Sequence, residues 1–285
     1  MPQRGNLALH DAGGGMREIS GRRVLITGGA GGLGHAMARR FAAEGAELVL
    51  TDVVKATLDD MVADFVRRGV ACRGYVVDVT DPAAIARLRD QLHEEAGPVQ
   101  VLVNNAGIVH GGPFLEVPVE KHLRTYRVNV EGVVAMTHAF LPDLVASDVG
   151  HLVNVASASG FVGLPFGSTY ASSKWAVIGL GESLRLELKK LGHGHVGVTS
   201  VCPSYVDTGM FAGVKPPKLT RFLTPDKVAE QVVAAVRHNR AFVLEPWLVK
   251  VTPFLVNTLP QPVADLVSDA FGATTGMKSW HGRQG

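Results

Sequence analysis

The chain has 285 residues, 46% hydrophobic and 19% charged, which is enough apolar material for a buried core and argues against disorder. Its 28 basic and 26 acidic residues leave a formal net charge of +2, so nothing points to a polyanion such as nucleic acid as partner. Glycine is the outlier at 33 residues, against a usual share of about 7%; with no three-residue period, the excess belongs to tight turns or to backbone that approaches a ligand.

Residues 1–20 read as a flexible tail. Gly13-Gly14-Gly15 interrupts them, Arg4 and Arg17 lack the apolar stretch a secretory leader needs, and translation could begin at Met1 or Met16. From residue 22 onward, short β-branched runs alternate with helical patterns. The runs are 24–26, 48–50, 75–77, 101–103, 152–155 and 196–201, and their unbroken apolar character suits parallel strands covered on both faces. Helices are predicted over 33–44, 56–68 and 82–95, the last opened by Asp81 as cap with Pro82 at the first helical position. Longer helices follow over 119–146 and 169–191. After a stretch rich in Gly and Pro, another helix runs over 225–239, capped by Thr224. The alternation without a composition break predicts one α/β domain over 21–245, a doubly wound parallel sheet of about seven strands with helices on both faces.

Residues 246–285 form an apolar extension carrying Trp247, Phe254, Leu255, Leu259, Leu266 and Phe271. It reads as packing on the domain or a neighbouring subunit, as a lid over an apolar substrate, or as a weak contact with a membrane surface. No apolar run reaches the roughly 20 residues needed to span a bilayer, because Gly, Pro, Ser or Asn interrupts every long uncharged run. Cys72 and Cys202 stand outside any Cys-x-x-Cys pair and beside apolar runs, so they read as buried thiols of a reducing, cytoplasmic setting. His193 and His195 flank a glycine and suit a loop better than a metal site.

The first strand runs into Thr27-Gly28-Gly29-Ala30-Gly31-Gly32-Leu33-Gly34, and a helix follows. Glycines here let a pyrophosphate approach the backbone N–H groups at a helix N-terminus. Asp52 ends the second strand, where a carboxylate accepts the ribose hydroxyls of an adenosine and repels a 2′-phosphate. NAD is therefore favoured over NADP.

Tyr170 and Lys174 are four apart in a helical segment and share a face. A neighbouring ammonium favours the phenolate, which makes such a pair a candidate acid/base. Ser157, after the fifth run, could donate to a carbonyl or alcohol oxygen.

With these pieces in place the chain resembles the short-chain dehydrogenases/reductases, whose fold is the Rossmann type. The matching residues are Thr27-Gly28-x-x-x-Gly32-x-Gly34, Asp78, Asn104-Asn105-Ala106-Gly107, Asn129, Ser157 and Tyr170-x-x-x-Lys174, in the family's order over roughly 22–239. The resemblance implies that Tyr170 exchanges a proton with the substrate oxygen as hydride moves to or from the nicotinamide. Lys174 would lower the Tyr170 pKa and bond the nicotinamide ribose, Ser157 would orient the substrate oxygen, and Asn129 would hold a water linking Lys174 to solvent. Asp78 and Val79 would contact adenine, while Leu33, Asn105, Ala106, Gly107, Pro203, Val206 and Thr208 would complete the cofactor site. The family's Pro-Gly is Pro203-Ser204 here, a departure. A homodimer or homotetramer is implied through the helices over 119–146 and 169–191.

Substrate choice falls to the loop over 207–224, with Met210, Phe211, Val214, Leu219 and Phe222, and to the tail. The ending Met277-Lys278-Ser279-Trp280-His281-Gly282-Arg283 is similar to that of the retinol dehydrogenase and 17β-hydroxysteroid dehydrogenase branch. A hydrophobic alcohol or carbonyl is the expected substrate. The competing expectations are a 3-oxoacyl or other carbonyl reductase of the same family, and an NAD-binding scaffold without turnover.

Overall fold

The computed structural model describes residues 15–282 except 17, 218–219, 252–257 and 271–273; the segment 1–14, Leu219, Phe254, Leu255, Phe271 and Arg283 lie outside the described residues. Seven parallel strands form one sheet: β1 (Arg23–Thr27), β2 (Glu47–Asp52), β3 (Cys72–Val76), β4 (Val101–Asn104), β5 (Gly150–Val155), β6 (Val196–Pro203) and β7 (Phe242–Glu245). Their order is β3-β2-β1-β4-β5-β6-β7, so the winding reverses between β1 and β4. A crevice opens beyond the carboxyl ends of the strands at such a point.

Strand residues alternate between two cores. Val24 and Ile26 of β1, Val101 and Val103 of β4 and Val153 of β5 pack with α1 (Gly32–Ala43), α2 (Lys55–Arg67) and α7 (Pro225–Arg237). Leu25, Leu102 and Leu152 point the other way, onto α3 (Pro82–Glu95), α5 (Gly132–Ala146) and α6 (Ser168–Lys190). Apolar residues at every strand position are what burial on both faces requires. The edge strand β3 departs from this: Arg73, Gly74 and Val76 are exposed, and the strand starts at Cys72 rather than at the apolar run 75–77.

The predicted caps are present. Asp81 accepts from the backbone N–H of Ala83 and Ala84 at 2.9 and 3.1 Å, and Thr224 accepts from Lys227 N–H at 3.4 Å. The helix predicted over 119–146 divides into α4 (Val119–Tyr126), a π-helical turn at Arg127–Glu131 and α5. Met16 and Ile19 are buried in the core, so packed chain begins ahead of the boundary drawn at residue 20. Beyond β7, α8 (Gln261–Ala270) and a 3-10 turn at Gly276–Ser279 follow. Trp247 and Leu266 of this extension are exposed, whereas Met277 is buried. Cys72 and Cys202 are free and buried.

Candidate active site

The glycine loop is shaped by contacts that exclude side chains. Gly28 and Gly32 adopt φ of 61° and 52°, in the left-handed region. A Cβ on Gly34 would lie 2.2 Å from the Gly28 carbonyl oxygen and 2.8 Å from Asn105 Nδ2, so the first turn of α1 sits directly on the loop. No side chain caps α1, and its first amides face a cavity of about 350 Å³ lined by Gly28, Gly31, Gly32 and Leu33.

Asp52, Asp78 and Val79 line the same cavity. The Asp52 carboxylate accepts from Ala30 N–H at 3.1 Å and from Val53 and Val54 N–H at 2.8 and 3.2 Å, which fixes the negative charge at the end of β2. Asp78 accepts from the Thr80 amide and hydroxyl, holding the turn that presents buried Val79.

Across the reversal point, the Thr27 hydroxyl accepts from the N–H groups of Asn105 and Ala106, each at 3.0 Å. Asn105 Nδ2 returns bonds to the carbonyls of Thr27 and Gly28 at 2.9 and 3.0 Å. The loops after β1 and β4 are thus one unit, and Asn105, Ala106 and Gly107 line the cavity beside the glycine loop.

Ser157, Tyr170 and Lys174 converge on the other end of this cavity. Ser157 follows β5, and its hydroxyl accepts from Ser159 N–H at 3.2 Å. Tyr170 is 5% exposed. Burial raises its pKa, and a hydrogen bond with Ser157 pulls the other way. The Lys174 ammonium lies 5.7 Å from the Tyr170 ring centroid, donates to the Val155 carbonyl at 2.8 Å, and is pushed down to about 8 by desolvation. Before a cofactor binds, burial thus favours the neutral form of both groups, and the effect expected of Lys174 on Tyr170 is not what dominates the shift. Cys202 lies close enough to Lys174 to interact electrostatically, but burial pushes its thiol up to about 12.

Asn129 is fully buried in the π-helical turn. Its side chain accepts from Ile108 N–H and donates to Ile108 C=O, both at 2.9 Å, and donates to the Ser173 hydroxyl at 3.0 Å. The amide is occupied in fixing the loop after β4, so a link to Lys174 would run through the main chain of this turn. A Cβ on Gly107 would stand 3.3 Å from Asn129 Oδ1 and 3.5 Å from Lys174 Nζ, which places all three together.

Pro203, Val206 and Thr208 line the cavity after β6. Ser204, the departure from Pro-Gly, donates its N–H to Glu245 C=O at 2.7 Å in the β7 pairing. Val206 pairs with Leu223, closing the base of the substrate loop. Tyr170, Phe211, Val214, Val109 and Met277 form a separate apolar cluster, with Leu164, Tyr205, Met210 and Trp280 against it. Phe211 meets the Tyr170 ring edge-on at 5.7 Å and Tyr205 at 5.1 Å.

Several lining residues were not singled out from sequence. Arg124, Val128 and Ile108 carry no motif, although Arg124 and Val128 stand one helical turn apart and Ile108 directly follows Gly107.

The family model described as short chain dehydrogenase matches residues 22–218. Epidermal retinol dehydrogenase 2 of Mus musculus is 35% identical over 260 residues, 90% of this chain and 84% of that one. The 17-beta-hydroxysteroid dehydrogenase 13 of Homo sapiens is 31% identical over 252 residues, 88% of this chain and 84% of its own. A short chain dehydrogenase/reductase from Burkholderia phymatum in complex with NAD superposes with TM-score 0.78 at 29% identity, covering 84% of this chain and 94% of that one. A short-chain dehydrogenase from Sphingobium yanoikuyae in complex with NADPH gives 0.73 at 29% identity, covering 87% and 95%. With its parallel seven-stranded Rossmann-type sheet, this chain belongs to the short-chain dehydrogenase family of oxidoreductases acting on alcohols, in the branch of the retinol and 17-beta-hydroxysteroid dehydrogenases.

Proposed function

We propose that the chain transfers hydride between NAD(H) and a hydrophobic alcohol or its carbonyl, with Tyr170 as acid/base. The observation that carries this reading is a single cleft with a glycine cradle and Asp52 at one end and Ser157, Tyr170 and Lys174 at the other, next to an apolar cluster. The cradle fits a dinucleotide: its glycines leave room where a Cβ would collide, uncapped amides face the cavity, and Asp52 offers a fixed carboxylate where a 2′-phosphate would be repelled. Gly28, Gly32, Leu33 and Gly34 would hold the pyrophosphate, Asp52 the adenosine ribose, Asp78 and Val79 the adenine. Asn105, Ala106, Gly107, Pro203, Val206 and Thr208 would frame the nicotinamide half. When bound, the nicotinamide supplies the hydride acceptor or donor.

Ser157 orients the substrate oxygen toward the Tyr170 hydroxyl. In the oxidising direction, Tyr170 takes the proton from the substrate hydroxyl as phenolate; in the reducing direction it returns one. Burial holds that hydroxyl in its neutral form, and Lys174, which would also hold the nicotinamide ribose, would supply the positive charge that favours phenolate. Asn129 keeps the loop after β4 in place beside Lys174. Phe211 and Met277 keep water from the Tyr170 ring and offer an apolar surface to the substrate.

The two relatives named as retinol and 17-beta-hydroxysteroid dehydrogenases support a bulky apolar alcohol. Free, buried cysteines support a cytoplasmic setting. Among the described residues no helix is long and apolar enough to cross a membrane. Exposed Leu123, Val134, Trp175 and Leu186 on α4 to α6 support a homodimer or homotetramer.

The test is a screen of steroid, retinoid and aliphatic alcohols with NAD, alongside Tyr170→Phe. The variant is expected to lose at least about a thousandfold in kcat while NADH binding stays within a factor of three. Activity confined to polyols would refute the substrate class, and turnover surviving in Tyr170→Phe would refute the acid/base.

A further inference from the structure

We propose that Ser159 is a positioning residue for the reaction: it fills both acceptor sites of the Ser157 hydroxyl, leaving Ser157 only a proton to offer the substrate oxygen. The proposal rests on the role given to Ser157 in the functional reading above. A serine hydroxyl has one donor hydrogen and two acceptor lone pairs. The Ser159 main-chain N–H donates to Ser157 Oγ at 3.2 Å, and the Ser159 hydroxyl donates to the same atom at 3.0 Å. Two bonds from one residue exhaust the acceptor capacity of Ser157.

Ser159 is held firmly enough to do this. It sits in a single 3-10 turn, Ala158–Gly160, closed by Gly160 N–H donating to Ser157 C=O at 2.9 Å. Trp175 of α6 donates its Nε1–H to Ser159 C=O at 2.8 Å, so the helix that carries Tyr170 also fixes this main chain. A Cβ on Gly160 would lie 2.4 Å from Ile178 Cδ1 and 3.0 Å from the Lys174 carbonyl oxygen, which presses the turn onto the same helix. Ser157 lines the cavity, whereas Ser159 does not line it and is only 7% exposed. One hydroxyl therefore meets the substrate while the other is sealed behind it.

The chemistry gives this arrangement a purpose. In the oxidising direction the substrate hydroxyl must pass its proton to Tyr170. A vacant lone pair on Ser157 would compete for that proton; with both filled, the alcohol donates to Tyr170 and accepts from Ser157. In the reducing direction the carbonyl oxygen only accepts, and Ser157 again meets it as a donor. Hydrogen bonds accepted by Ser157 also polarise its own O–H and strengthen its donation.

The experiment is a double-mutant cycle of Ser159→Ala and Ser157→Ala with the best alcohol from the screen above. Ser159→Ala should lower kcat roughly tenfold while KM and NADH affinity stay within a factor of about two. Ser159→Thr, which keeps both donors, should recover most of the loss. In the Ser157→Ala background, Ser159→Ala should cost less than about twofold, because the hydroxyl it acts through is gone. Equal losses in both backgrounds, or a normal kcat in Ser159→Ala beside a crippled Ser157→Ala, overturn the proposal. Full activity in Ser157→Ala instead refutes the role of Ser157 in the functional reading itself. Should the wild type oxidise none of the alcohols, that reading fails, and urea midpoints of the cofactor-free chain judge the pair. Removing Ser159 should then cost less stability when Ser157 is already Ala; strictly additive losses overturn the bond.

Discussion

On the cofactor side of the cleft, shape comes from main chain: Gly34 against the Gly28 carbonyl, the Thr27 hydroxyl under two amides, Asp52 fixed by three N–H groups. On the substrate side it comes from side chains that meet across long sequence distances, such as Met277 with Tyr170 and Phe211. A wall of backbone tolerates few residue types, which suits a ligand common to a whole family. A wall of packed side chains can be rebuilt one residue at a time, which is how one family changes substrate while keeping its chemistry.

The sharpest way to break this contrast is Gly34→Val. The Gly28 carbonyl must move to admit the new side chain, at a strain of about 1–3 kcal/mol, or roughly 10–100-fold in NADH affinity. Fluorescence titration and Tm report both effects, and wild-type affinity would mean that the cradle is softer than its contacts imply. Ser157→Ala stands at the seam of the two halves: kcat should fall about a hundredfold with NADH affinity intact, as single-turnover kinetics would show.

Lys174, also at the seam, gives a pH test on the cofactor-free chain. Its folded pKa of about 8 lies below the ordinary 10.5, so below pH 8 the fold carries the full cost of a buried ammonium. Between pH 8 and 10.5 the folded state has released this proton while the unfolded state still holds it, so stability rises with pH across that window. Lys174→Met should therefore exceed the wild type in stability below pH 8, by about 1–3 kcal/mol, and the advantage should shrink toward pH 10.5. Urea titrations at stepped pH measure it, and a gap independent of pH would contradict it. The smallest effect is expected from Asp52→Asn, where loss of the carboxylate should reduce the NAD-to-NADP preference about tenfold, read from kcat/KM for the two cofactors.

The cofactor half was legible in sequence because glycine spacing and a strand-end carboxylate are local signals of a backbone requirement. Tyr170 and Lys174 were legible because helical periodicity places them on one face. The substrate half was less so: Met210 and Phe211 were read as part of an apolar loop, and Met277 and Trp280 only as part of a family-like ending, but nothing local says that 210–215 and 276–282 are bound together. Strand β7 was absent from the apolar runs because Phe242–Glu245 is short and mostly half-buried at the sheet edge. The pKa direction at Tyr170 was also out of reach, since it follows from the packing of Phe211 and its neighbours rather than from the residue four positions on.

The π-helical turn at Arg127–Glu131 has a further consequence. Its wider winding accommodates one residue more than an α-helix would over the same rise. Removing one residue there would restore a regular ladder, but at 3.6 residues per turn it would rotate α4 by about 100° against α5. Asn129 could then no longer face both Ile108 and Ser173. The irregularity sets the rotational phase of a long helix: it lets one face of α5 stay on the sheet while the buried amide points across to the loop beside Lys174.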